Sequence, residues 1–198
     1  MEKIDRRVLR TRALLRDALI ALILERGYDE LTIQDITNKA DLRRATFYLH
    51  YRDKEELLLA TLAESFNTLV REMESLIGSD ALAGKTQLAA FLITFRHAEA
   101  QHRLYSVILN GQSGVVVAQH IREYLVRLLL GALHNTPPEQ LALPAEVLAQ
   151  YIAGAELALL TWWLNAGMPY SAQQMAEMTQ RLILHGVADV LPLPKNTP

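Results

Sequence analysis

The stretch LTIQDITNKADLRRATFYLHYRDKEELL (31–58) carries two short helices and the start of a long one. Thr32 is placed to cap a helix over Ile33 to Ala40, and Asp35 three residues on favours the same N-terminus. Asp41-Leu42 supplies a turn, and a second short helix follows over about Arg43 to His50. Asp53 then caps a long helix running toward Ile77, with Glu56 completing a D-x-x-E capping pattern. Two helices of about eight residues joined by about three have the geometry of a helix-turn-helix. The second helix of that motif enters the major groove of duplex DNA, N-terminal residues first. Here it opens Arg43-Arg44-Ala45-Thr46, and two arginines, a small residue and a threonine suit contact with base edges and phosphates. Leu42, Phe47 and Leu49 are its apolar positions, whereas Arg44, Ala45 and Tyr48 take a different, exposable face.

Outward from this segment, helical periodicity dominates and no sustained period-two alternation marks a strand. Leu15, Ala18, Leu19, Leu22 and Ile23 form one apolar stripe of a helix over about Arg7 to Arg26, and Gly27 follows where a left-handed cap needs it. Further helices are expected near 85–101, 103–110, 114–134, 144–166 and 171–190. They are separated by Gly78-Ser79-Asp80, Thr136-Pro137-Pro138 and Gly167-Met168-Pro169, with Ser171 and Gln174 as a second capping box. The tail Leu191 to Lys195 holds two prolines and cannot continue a helix. The expected fold is all-α, with about nine helices: a three-helix helix-turn-helix head over residues 1–54 and a helical-bundle body over 55–198.

The 198 residues have a formal net charge of −2, which hides an asymmetry. Residues 1–54 hold 12 Lys/Arg against 9 Asp/Glu, and the remainder 8 against 13. A basic head on an acidic body suits a polyanion as the head's partner. The absence of cysteine excludes disulfides, thiolate metal sites and cysteine nucleophiles. The charged start Met1 to Arg7 lacks the apolar run of a signal peptide, and the apolar stretch around Leu141 to Met168 is interrupted by Pro144, Glu146 and Glu156. A cytoplasmic protein with no membrane partner is expected.

Residues 31–58 resemble the DNA-binding signature of the tetracycline-repressor (TetR) family, and the preceding helix, ending Leu22-Ile23-Leu24-Glu25-Arg26-Gly27-Tyr28, matches it too. The matched region covers roughly residues 10–60. One departure is Asp41, where the family usually has Gly; Asp tolerates left-handed backbone better than most residues. The resemblance implies that Arg44 and Ala45 face base edges, that Arg43 flanks them, and that Gln34 adds a base or phosphate contact. Arg44 is suited to bidentate bonds with guanine. Thr32, Thr46, Tyr48, His50 and Lys54 match positions that hold phosphates, Lys54 at a helix N-terminus where backbone amides favour an anion. Lys3, Arg6, Arg7 and Arg10 form a basic arm. The plain alternatives are that Tyr48 and His50 cover the core of a small three-helix unit and that Arg43 and Arg44 are solvated surface.

The body resembles the family in helix count and in one local cue, Tyr151 to Ala155 leading into Trp162 to Pro169, which looks like the penultimate helix and hinge of many TetR-like regulators. In them the last two helices of each subunit form the dimer interface. The helix over 144–166 is apolar on several faces, more than one subunit's core needs, and its small residues Ala153, Gly154, Ala155 and Ala158 allow close approach. A homodimer on a palindromic operator is expected, with recognition helices about 34–36 Å apart; a monomer with a buried core helix is the alternative. Many relatives bind a small-molecule effector in the body. Phe91, Phe95, Tyr105, Tyr124, Trp162 and Met168 are candidate lining residues, with His97, His102 and His120 as polar handles; the competing reading is that the aromatics are core.

The expected function is thus a sequence-specific, double-stranded DNA-binding transcriptional regulator, a homodimeric repressor released by an effector. The alternatives are a regulator without an effector and a helical protein–protein adaptor with a vestigial head. Neither catalysis nor any cofactor or metal is expected. His97, Glu99 and His102 are spaced i, i+2, i+5, which does not set two imidazoles on one helical face, and no phosphate loop or nucleophile elbow occurs.

Overall fold

The computed structural model describes residues 6–76, 84–134, 136–137 and 141–186. Lys3, Gly78-Ser79-Asp80, Pro138 and the tail from 187 lie outside the described residues. Among these residues the chain is all helical: α1 (Arg6–Arg26), α2 (Ile33–Lys39), α3 (Arg44–Tyr48), α4 (Lys54–Leu76), α5 (Gly84–Ala100), α6 (His102–Asn110), α7 (Gly114–Leu133), α8 (Ala145–Asn165) and α9 (Ala172–His185). α3 is shorter than its expected span of about Arg43 to His50, because the chain tightens into a turn after Tyr48. There the N–H groups of His50 and Tyr51 both reach the Phe47 carbonyl, at 2.9 and 3.0 Å.

The helices form two compact units, residues 1–68 with 102–120, and residues 69–101 with 121–198. The chain therefore crosses from one to the other within α4, between α5 and α6, and within α7. The first unit takes in more than residues 1–54, because the start of α4 is bonded to the α1–α2 loop and α6 packs against α1. Its buried side chains include Leu15, Leu19 and Ile23 of α1, Ile36 of α2, Phe47 of α3, Leu57 and Leu58 of α4, and Ile108 of α6. Phe66 of α4 stacks on Tyr105 of α6 with ring centroids 6.5 Å apart. In the second unit α5 packs along α9 and against α8, with Phe95 edge-on to Trp163 at 5.4 Å.

Local capping sets the ends of these helices. Thr32 and Asp35 form a reciprocal capping box at the start of α2, as do Ser171 and Gln174 at the start of α9. Asp53 caps α4 by accepting the Glu56 N–H at 2.8 Å, while the Glu56 carboxylate reaches back one residue further, to the Arg52 N–H at 2.7 Å. α8 is long and apolar enough to cross a membrane by length and composition alone. It also buries a carboxyl, Glu156, midway along its length.

Candidate nucleic-acid interface

The turn between α2 and α3 is what aims the second helix. α2 ends in a Schellman arrangement: the Asp41 N–H reaches the Asn38 carbonyl at 3.2 Å and the Leu42 N–H reaches Thr37 at 2.9 Å. This places Asp41 in the left-handed region, φ 53°. Asp holds the conformation that glycine adopts without cost. Arg43 then occupies the N-cap of α3 in an extended conformation, with no side-chain bond to the helix. Phe47, fully buried, fixes the other side of this five-residue helix to the core.

With Phe47 inward, Arg43, Arg44, Ala45 and Tyr48 are exposed, and Thr46 and His50 are half-buried. Arg44 is held rather than loose. Its Nε and Nη2 donate to the Tyr48 hydroxyl at 3.3 and 3.0 Å, and the guanidinium lies 5.7 Å from the ring centroid. The residue suited to base edges and the one suited to phosphate thus form a single i, i+4 unit. Thr32 and Gln34 are exposed at the start of α2, where Gln34 donates to the Asn38 side chain at 2.7 Å. Thr32 and the Arg26 guanidinium, 3.0 Å from Asp35, hold the Asp35 carboxyl down at about 2, the Thr32 hydroxyl being the main cause.

Lys54 departs from its expected role. Its ammonium donates to the carbonyls of Tyr28, Asp29 and Leu31 at 3.2, 2.8 and 2.9 Å and lies 4.6 Å from the Tyr28 ring centroid. With three donors on three acceptors, the side chain fastens the α1–α2 loop to α4 and does not present charge to a phosphate. A phosphate at this helix end would meet backbone N–H groups instead. Leu49 departs in the other direction. Grouped by sequence with the inward apolar positions, it is 81% exposed, since α3 stops one residue before it. An apolar side chain beside Tyr48 suits a thymine methyl or a deoxyribose.

Six residues are expected to line an effector site. Tyr105 belongs to the first unit, stacked on Phe66, and the other five belong to the second. Trp162 is 48% exposed and tilts against Tyr170 at 6.4 Å. Its neighbour Trp163 is the core residue, fully buried, with Nε1 donating to the Tyr170 carbonyl at 2.8 Å. Phe91 and Phe95 are buried, and Met168 sits in the turn after α8 at φ 57°. A cleft of about 740 Å³ in this unit is lined by Leu130, Leu133, Leu141, Leu143 and their neighbours, and by none of the six. Glu156, which interrupts an apolar run in the sequence, is buried. Burial pushes its carboxyl up to about 7, against the opposing effect of a hydrogen bond with Thr94 of α5. A lone acid in the middle of a 21-residue apolar helix was the available signal. Among the described residues no group of three or more His, Asp or Glu side chains is arranged to hold a metal ion.

Residues 15–61 match the family described as bacterial regulatory proteins, tetR family, and residues 85–185 match one described as transcriptional regulator C-terminal region. The chain belongs to the TetR family. As a TetR-family member it is a DNA-binding transcriptional regulator, and the first match falls on the helix-turn-helix described above. The HTH-type regulator YxbF of Bacillus subtilis (strain 168) is 49% identical over 65 residues, 32% of this chain and 17% of that protein. The fatty acid metabolism regulator protein of the same organism is 24% identical over 179 residues, 86% of this chain and 92% of that protein. Among solved structures, the Thermus thermophilus FadR repressor in complex with lauroyl-CoA superposes with a TM-score of 0.68 at 20% identity, covering 94% of this chain and 98% of that one. That likeness shows a TetR fold over nearly the whole chain.

Proposed function

We propose that the protein is a homodimeric repressor that binds a palindromic operator through α3 and leaves it when a small-molecule effector occupies the body. The observation that carries this reading is the Arg44–Tyr48 unit, exposed on a helix whose opposite side is anchored by Phe47. In this reading Arg44 and Ala45 address base edges, with Arg43 and Gln34 beside them. Thr32, Thr46, Tyr48, His50 and the N-terminus of α4 at Lys54 take phosphates, and Leu49 adds an apolar contact. DNA contact is thus confined to residues 1–54, although the packing of that unit extends further. Repression in the cytoplasm is favoured over activation, because a protein bound across a promoter blocks polymerase without further machinery.

The second copy is proposed to seat on α8 and α9. Val147, Tyr151 and Trp162 follow one another along α8 at helical spacing and are each about half exposed, and Met178 of α9 is exposed as well. Apolar surface of this kind is what a partner covers. The effector is placed against α5, α7 and α8, where Phe91, Phe95 and Tyr124 lie. Long-chain acyl-CoA thioesters are the first ligands to try, since the Thermus thermophilus neighbour holds one. The mechanism is a population shift: effector binds better to a state whose two heads no longer match the groove spacing.

Selection of bound duplexes from a random pool tests the proposal. Enrichment of a palindrome, with affinity falling steeply as salt rises, supports it; no enrichment at low salt would put the adaptor reading in its place.

A further inference from the structure

Asp29, in the loop between α1 and α2, reaches 83 and 84 residues along the chain to the corner between α6 and α7. Its carboxylate accepts the Gln112 N–H at 2.7 Å, the Ser113 N–H at 3.2 Å and the Ser113 hydroxyl at 2.8 Å. The same residue's carbonyl accepts the Lys54 ammonium. Gly111 completes the contact by its lack of a side chain, because a Cβ there would stand 2.5 Å from an Asp29 carboxylate oxygen. One loop residue of the head is therefore bonded to the first residue of α4 and to the residues that open α7. Those two helices are the ones that run on into the second unit, past Leu69 and past Ile121.

The hydrophobic effect is non-directional, whereas hydrogen bonds to an ionised carboxylate are directional and strong. Three of them converge here on one side chain, at a helix N-terminus whose dipole favours the negative charge. Asp29 takes no part in the DNA surface, and a loop acid that served only its own loop would not require glycine on an element 82 residues away.

We propose that Asp29 is a positioning residue for operator binding: it ties the helix-turn-helix to the α6–α7 corner, so that movement of α7 turns the head. The proposal rests on the reading of the protein as a dimeric operator-binding regulator and names a contact inside the first unit, where α4 and α7 begin their course. Breaking the contact leaves each head able to read DNA but no longer holds the two heads at one separation.

The chain has no cysteine, so Asp29→Cys with Gly111→Cys introduces a single pair. An ideal Cβ on Gly111 lies 3.4 Å from Asp29 Cγ, the position a cysteine sulfur at 29 would take, and a disulfide needs roughly 3 Å between a Cβ and the far sulfur. One preparation, oxidised or reduced, is titrated against the selected palindrome and against duplexes whose half-sites are moved one or two base pairs closer or apart. The oxidised form is expected to keep the wild-type preference for one spacing. The reduced form and Asp29→Ala are expected to lose about tenfold on the native spacing and much less on the others, as charge-assisted bonds are lost; Ser113→Ala is expected to fall between. Equal affinities in the two redox states, or an equal loss at every spacing, would overturn the proposal, the second because a merely destabilised head weakens all binding alike. Failure of the wild type itself to prefer any palindrome would overturn the functional reading beneath it.

Discussion

The head and the body put their polar and apolar groups in opposite places. Between Thr32 and Lys54 the buried positions are apolar or aromatic except for Thr37, and three pairs of polar side chains on the surface are tied together: Thr32 to Asp35, Gln34 to Asn38, Arg44 to Tyr48. In α8 a carboxyl is buried at Glu156, and aromatic and branched side chains face outward at Val147, Tyr151 and Trp162. A surface that meets phosphates must be polar yet ordered before the ligand arrives, since fixing loose side chains on binding costs affinity. A surface that meets a second protein chain is apolar and is finished only when the partner covers it. On the proposed function, the same chain carries one interface complete in itself and one that waits for its copy.

Three variants bear on this comparison. The largest effect is expected from Tyr151→Asp combined with Trp162→Asp, which sets unpaired charges into the proposed dimer face. The dimer dissociation constant should rise by about a hundredfold or more, measured by sedimentation, while the helical content stays unchanged. A dimer of unaltered strength would show that α8 is not the covered face.

The next effect concerns Glu156. Its carboxyl titrates at about 7 when folded, against an ordinary value of 4.5, so between those values the folded chain keeps a proton that the unfolded chain releases. Stability therefore falls as pH rises through this window and levels off above it. Glu156→Gln, neutral throughout and still able to bond Thr94, should match the wild type at pH 4 and exceed it by on the order of 2–3 kcal/mol at pH 8. Denaturant melts at the two pH values check this; a pH-independent difference would contradict it.

The smallest effect is expected at Asp41. Asp41→Gly relieves the left-handed strain of the α2–α3 turn at some cost in unfolded-state entropy, for a net gain of about 0.5 kcal/mol. Operator affinity should not change, because the turn geometry is already the one glycine would take. A loss of affinity would mean that the Asp41 side chain itself serves the interface.

What sequence made legible was local. Thr32 with Asp35 and Ser171 with Gln174 lie three residues apart, and their capping boxes follow from chain neighbours alone. The stripe from Leu15 to Ile23 and the left-handed Asp41 are likewise set by nearest turns of helix. The bonds of the Lys54 side chain are not legible in sequence, because its acceptors lie 23 to 26 residues away in a loop whose path depends on packing. Asp29 was unreadable for the same reason at greater range. Which of Trp162 and Trp163 turns inward is not legible, because α8 is apolar on several faces and periodicity cannot separate two neighbours. Leu49 went wrong by one residue, at the point where α3 stops.

The central claim is that α3 reads sequence through Arg44. Its most direct test is to titrate the wild type and Arg44→Ala against the selected palindrome and against a scrambled duplex of equal length at one salt concentration. The account predicts that the variant loses about 10–100-fold on the palindrome, the worth of a bidentate arginine–guanine contact, and little on the scrambled duplex. An equal loss on both, or none on either, would contradict it.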